Sequence, residues 1–87
     1  MNYLNYDLQL SPGDVVMVEL DKQANVRLLD ESNYQQYKAG QAHRYYGGLA
    51  KTNPVRLPAP HAGLWHLVID LGGYPGTVRA SVNVLKG

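Results

Sequence analysis

The densest group of side chains that could do chemistry lies in the segment AHRYYGG, at residues 42–48. It places a histidine and an arginine directly before two tyrosines, in a chain that has only three His. These residues offer an imidazole, a guanidinium fork for carboxylates or hydroxyl groups, and two aromatic rings. Because adjacent residues of a strand point to opposite faces, we expect one tyrosine to lie in the core and the other to face outward with Arg44.

Other polar and aromatic residues on predicted loops and outward faces extend this surface. If the fold brings Arg44 and Arg79 together, their two guanidinium groups suit a carboxylate or the hydroxyl groups of a sugar. We therefore predict a non-enzymatic binding or interaction module, whose partner is a small polar ligand or another protein. The predicted ligand-binding residues are Arg44, Tyr45, Tyr46, His61, His66, Tyr74 and Arg79.

The alternative hypothesis is a small metal-dependent or hydrolytic enzyme that uses His61, His66 and Asp70. Two imidazoles and a carboxylate form a possible ligand set, but the histidines lack the tight spacing of zinc motifs. A serine triad is disfavoured, because His66 and Asp70 lie about 13 Å apart along one strand at ~3.3 Å per residue. No catalytic residue, metal ligand or cofactor is therefore predicted.

The overall charge and the termini disfavour other classes of partner. The net charge is +1, with eight basic and seven acidic residues, so no basic face for nucleic acid or anionic lipid is indicated. The glycine-rich loop GGYPG lacks the lysine and helix of a phosphate-binding loop. No signal-peptide pattern and no apolar run of roughly 20 residues occurs. We expect no nucleic-acid or membrane partner, and a cytoplasmic location, which the absence of cysteine permits.

Short alternating segments must position these side chains. Alternation of apolar and polar residues, β-branched residues and flanking turn residues predict strands at residues 2–10, 15–20, 25–30, 55–57, 64–71 and 78–85, and a strand or an extended loop at residues 43–49. We predict a single domain over residues 1–87, all-β and mainly antiparallel: a small β sandwich or partly open barrel with one short helix. An exposed edge strand of such a sheet makes a homodimer possible.

The one predicted helix spans residues 30–40. Ser32 is the expected N-cap and Gly40 the expected C-terminal residue. Tyr34 and Tyr37 stand three residues apart, so they share one face of the helix.

The last two predicted strands are expected to form a hairpin with one apolar and one polar face. The register that aligns their apolar faces places Leu71 opposite Val78, Asp70 opposite Arg79 and His66 opposite Asn83. This predicts an ion pair between Asp70 and Arg79, worth about 0.2–1 kcal/mol, on an outward-facing surface.

Long segments of the chain resemble a known family. HRYYGGLAK, PVRL, PHAGLWHLVIDLGGYPGTVRASV and ELDKQANVRLLD are similar to the bacterial domain-of-unknown-function family numbered 1883. The resemblance covers nearly the whole chain. It implies a small all-β domain of uncharacterised biochemistry, found alone or joined to signalling-type modules, for which a sensing or docking role is expected. It implies no catalytic residues.

Overall fold

The computed structural model describes residues 3–87 and contains seven strands and one helix in that range. The elements are β1 (Tyr3–Leu10), β2 (Val15–Leu20), β3 (Ala24–Asp30), α1 (Glu31–Lys38), β4 (Tyr46–Ala50), β5 (Val55–Pro58), β6 (Gly63–Asp70) and β7 (Ala80–Leu85). Each corresponds to a predicted element, with bounds that differ by at most a few residues. Residue 2, the first of the first predicted strand, lies outside the described residues.

The strands form two antiparallel sheets that pack face to face. The larger sheet has the order β1-β6-β3-β4 and the smaller sheet the order β5-β2-β7. Alternate residues of the central strands point into the space between them and are almost completely buried, as Val18, Val26 and Leu67 are. Apolar burial of this kind supplies most of the stability of a small domain. The predicted β sandwich with one short helix is therefore confirmed, and the sheets do not close into a barrel.

The predicted hairpin between the last two strands is wrong. Strand β6 is central in the larger sheet and pairs with β1 and β3, whereas β7 pairs with β2 in the smaller sheet. Their apolar faces still meet, but across the sandwich, because the loop that follows β6 passes from one sheet to the other. The cross-strand neighbours of Asp70 are Tyr3 and Asn25, and Arg79 lies before β7.

Helix α1 covers the outer face of the larger sheet. Its Tyr34 is buried with Leu29 and Val68 in a second apolar cluster, separate from the main core. The face of β6 that was predicted to face outward is therefore covered, and His66 and Asp70 are only 5% and 1% exposed. That prediction is wrong because a central strand in this sandwich has one face against the other sheet and the second face against the helix.

The ends of α1 are set by local hydrogen bonds. The N-cap is Asp30, not the predicted Ser32: the Asp30 carboxylate accepts a hydrogen bond of 2.9 Å from the amide of Asn33. Gly40 follows the helix with φ +72, as a left-handed terminating residue does, and this prediction is confirmed. No helix within residues 3–87 has the length and apolar character needed to cross a bilayer.

Candidate binding site

An open cavity of about 610 Å³ lies at one end of the larger sheet, where the start of β6, the end of β3, the start of α1 and the loop before β4 meet. Four of the predicted ligand-binding residues line this cavity, namely Arg44, Tyr45, Tyr46 and His61. Segments that are distant in the sequence are therefore brought together here by the fold.

The loop that carries Arg44 is fastened to the helix. The backbone amide of Arg44 donates a hydrogen bond of 2.7 Å to Oδ1 of Asn33. The side-chain amide of Asn33 in turn donates one of 2.9 Å to Asp30. The Arg44 side chain is exposed and forms no ion pair within the part of the chain that the structure describes. The backbone of Arg44 is thus held at the cavity rim, and its side chain extends from this fixed point.

Trp65, near the start of β6, forms the floor of the cavity. Its indole N–H donates a hydrogen bond of 3.0 Å to the carbonyl oxygen of His61. Its ring centroid lies 4.7 Å from that of His61 and 5.9 Å from that of Tyr46, the latter in an edge-to-face contact. The sequence identified Trp65 only as a core residue. The structure shows that this core ring also supports two residues of the rim.

Both tyrosines of the HRYY segment are exposed, Tyr45 by 43% and Tyr46 by 53%. The expectation that one of them lies in the core is wrong. Strand β4 begins at Tyr46, so Tyr45 precedes the strand, and the rule that alternate strand residues face the core does not apply to it. Tyr46 lies at an end of the sandwich where the ring of Trp65 occupies the core, and Tyr46 packs against that ring. The Tyr45 ring lies 5.1 Å from the guanidinium carbon of Arg27 and 5.6 Å from the ring of His43.

The carboxylate of Asp70 is the centre of a buried polar network under α1. It accepts hydrogen bonds from the side chains of Asn25 (2.9 Å) and Tyr37 (2.8 Å), from the amide of Gly72 (2.8 Å), and from Arg27. Burial by itself raises the pKa of Asp70, but these donors and the charge of Arg27 together hold that pKa below its ordinary value. Asp70 is therefore an ionised structural group, and its ion-pair partner is Arg27, so the predicted ion pair with Arg79 is wrong.

His66 does not reach the cavity. Its ring stacks on Tyr34 under the helix, with the centroids 4.0 Å apart. Its Nδ1 lies 2.8 Å from a carboxylate oxygen of Asp7. Its Nε2 is 3.2 Å from a carboxylate oxygen of Glu31, within ion-pair distance but without the angles of a hydrogen bond. His66 is thus enclosed between a ring and two carboxylates.

Tyr74 and Arg79 also lie away from this cavity. Tyr74 is exposed on the loop after β6 and lines a different cavity of about 460 Å³, beside Leu71 and Val78. The backbone amide of Arg79 donates a hydrogen bond of 2.8 Å to Asp21. The suggested pair of guanidinium forks from Arg44 and Arg79 therefore does not share one cavity.

The three residues of the enzyme hypothesis are separated as well. His61 lies at the cavity, whereas His66 and Asp70 lie under the helix with other partners. Within residues 3–87, no group of three or more His, Asp or Glu side chains is placed to hold a metal ion. These three residues therefore do not form one site in the fold.

Comparison with known proteins identifies the family. The family model described as "Domain of unknown function (DUF1883)" matches residues 1–87, so the chain belongs to this family, as the resemblance predicted. No curated protein matches the chain, and no solved structure matches it. The family description carries no activity, so a functional hypothesis must come from the cavity itself.

Proposed function

We propose that this DUF1883 domain is a non-enzymatic binding module that holds a small polar ligand in the cavity above Trp65. The observation that carries the proposal is the meeting of Arg44, Tyr45, Tyr46 and His61 on one open cavity. Its volume of about 610 Å³ is in the range of small-molecule sites, roughly 300–1,000 Å³.

The rim of the cavity is fixed before any ligand arrives. Asn33 ties the loop of Arg44 to the helix, and Trp65 holds His61 and Tyr46 through a hydrogen bond and ring contacts. Side chains that are already ordered lose less conformational entropy when a ligand binds. This arrangement favours binding by a preformed surface.

The cavity lacks the side chains that most often act as nucleophiles in hydrolases. Its lining contains no serine, threonine, cysteine or lysine that could act as a nucleophile. The hydrogen bond from the amide of Asn33 is the main cause that lowers the pKa of Asp30, although burial opposes it. A carboxylate that remains ionised accepts hydrogen bonds but is a poor general acid near neutral pH.

We infer that the module acts in the cytoplasm and that a protein partner or a second copy of the chain is an alternative occupant of this face. The alternative hypothesis is an enzyme that uses His61, His66 and Asp70, but these three residues do not lie in one site.

The proposal is tested by ligand-observed NMR with a library of saccharides, amino acids, nucleosides and small carboxylates. We expect a hit whose affinity falls about tenfold or more, near 1.4 kcal/mol, in Arg44→Ala and in Tyr46→Ala. The matched controls Arg79→Ala and Tyr74→Ala remove the same side chains away from the cavity and should bind like wild type. A library without any hit, or hits equally affected by all four substitutions, would exclude this cavity as the ligand site.

A further inference from the structure

We propose that the ligand of this cavity is a neutral saccharide. This inference rests on the proposed function and adds the chemical class of the ligand. The first observation is the balance of charge, because the lining contains one carboxylate, Asp30, and one guanidinium group, Arg44, with two histidines. A site for a strong anion has an excess of positive groups, and a site for a cation has the reverse.

The second observation is the exposure of two supported aromatic rings. Tyr45 lies against the guanidinium group of Arg27, and Tyr46 makes an edge-to-face contact with Trp65. Each ring is therefore held in place and yet remains about half exposed. A pyranose ring presents C–H groups on its faces and hydroxyl groups around its edge. Its faces can stack on such tyrosines while its hydroxyl groups reach the polar rim.

The third observation is the mixture of donors and acceptors around these rings. Oδ1 of Asp30 is occupied by Asn33 and Ser32, whereas Oδ2 has no hydrogen bond from any residue that the structure describes. Arg44 supplies donors only. A hydroxyl group both donates and accepts, so neighbouring hydroxyl groups can satisfy the two side chains together. A carboxylate ligand would satisfy Arg44 but would place like charges beside Asp30.

The test uses the intrinsic fluorescence of Trp65, the only tryptophan of the chain, which lies on the cavity floor. Purified protein is titrated with a panel of neutral methyl glycosides and disaccharides, and in parallel with citrate and with free amino acids. We expect at least one neutral glycoside to produce a saturable change. Its dissociation constant should stay within about twofold as NaCl rises to about 0.5 M, because salt screens ionic but not neutral contacts.

Substitutions then locate the bound sugar. Tyr46→Ala should weaken binding about tenfold, and the matched control Tyr74→Ala should leave it unchanged. Asp30→Asn removes the charge but keeps a residue that caps helices equally well, so the fold is preserved while binding weakens about fivefold. A circular-dichroism melt confirms that each variant is folded.

Two results would overturn the inference in different ways. Salt-sensitive binding of citrate or amino acids without binding of any glycoside excludes a saccharide but leaves a binding module in place. No response to any class of probe, by fluorescence or by NMR, removes the saccharide and the proposed function together.

Discussion

The guanidinium group of Arg27 donates a hydrogen bond to the buried carboxylate of Asp70, between the adjacent strands β3 and β6. The same guanidinium carbon lies 5.7 Å from the centroid of the Tyr37 ring and 5.1 Å from that of Tyr45. Contacts of this kind between a cation and an aromatic ring are attractive. One ion pair thus connects the polar network under the helix with the aromatic rim of the candidate site.

Replacement of Asp70 by alanine should strongly destabilise the fold. It leaves Arg27, Asn25 and Tyr37 without their shared acceptor, and an unpaired buried charge costs about 3–5 kcal/mol. We expect a loss of this size in the free energy of unfolding, measured by urea denaturation. The control is Glu19→Ala, an exposed carboxylate on β2, which should change stability by less than about 0.5 kcal/mol. Equal losses in the two variants would contradict the structural role of Asp70.

Stability should fall in acid because three carboxyl groups have pKa values below their ordinary value of 3.8. The amide of Ser11 is the main cause for Asp14, and the amide of Asn33 is the main cause for Asp30. For Asp70, burial raises the pKa but is outweighed by the hydrogen-bond donors. A group whose folded pKa is depressed stabilises the protein above its unfolded pKa, and that stabilisation is lost as pH falls through the folded pKa.

The urea midpoint should therefore be constant near neutral pH and decrease progressively below about pH 5. Asp70→Asn removes one of the three titrating groups, so its midpoint should depend less steeply on pH than that of wild type. A wild-type urea midpoint that does not change between about pH 5 and pH 3 would show that folding does not stabilise the ionised form of these carboxyl groups.

The strands were predictable because their signal is local. Alternation of apolar and polar residues fixes which side chains of a strand share a face, and it is visible within a few residues. The pairing of strands was not predictable in the same way, since the partners of β6 are β1 and β3, which come much earlier in the chain. One clue was available: Val68 lies between His66 and Asp70, and an apolar residue on a polar face indicates that something covers it.

The candidate site was only partly predictable for the same reason. The HRYY segment concentrates its chemistry locally, so Arg44 and both tyrosines could be identified from the sequence. The supporting residues Arg27 and Trp65 act through contacts with residues from other segments, which no spacing rule reveals. Tyr74 has the same residue type as Tyr46 but lies on a different cavity, because residue type alone does not define location.

Gly47 on β4 should not tolerate a side chain. Its φ is +113, and a Cβ atom there would overlap the carbonyl oxygen of Val26 on the adjacent strand. Gly47→Ala should reduce the free energy of unfolding by about 3 kcal/mol or more, because both the conformation and the contact are unfavourable. Thermal and urea denaturation measure the loss.

The neighbouring Gly48 provides the matched control. Its φ is +146, but a Cβ atom would have no atom within 4 Å. Gly48→Ala should therefore cost only the conformational strain, about 1–2 kcal/mol. Since both positions have a positive φ, the difference between the two variants measures the contact with Val26. Variants of equal stability would show that β3 and β4 do not approach as closely as the structure indicates.

The ligand-binding role of Arg44 should be separable from the stability of the fold. Arg44 is exposed at the cavity rim and its side chain forms no ion pair with a described residue, so Arg44→Ala should leave the melting temperature nearly unchanged. Trp65 lies beside it on the cavity floor but is only 2% exposed. Trp65→Ala removes a large core ring and should cost about 3–5 kcal/mol. If Arg44→Ala melted as early as Trp65→Ala, the arginine would be a structural residue, and the binding proposal would lose its main polar contact.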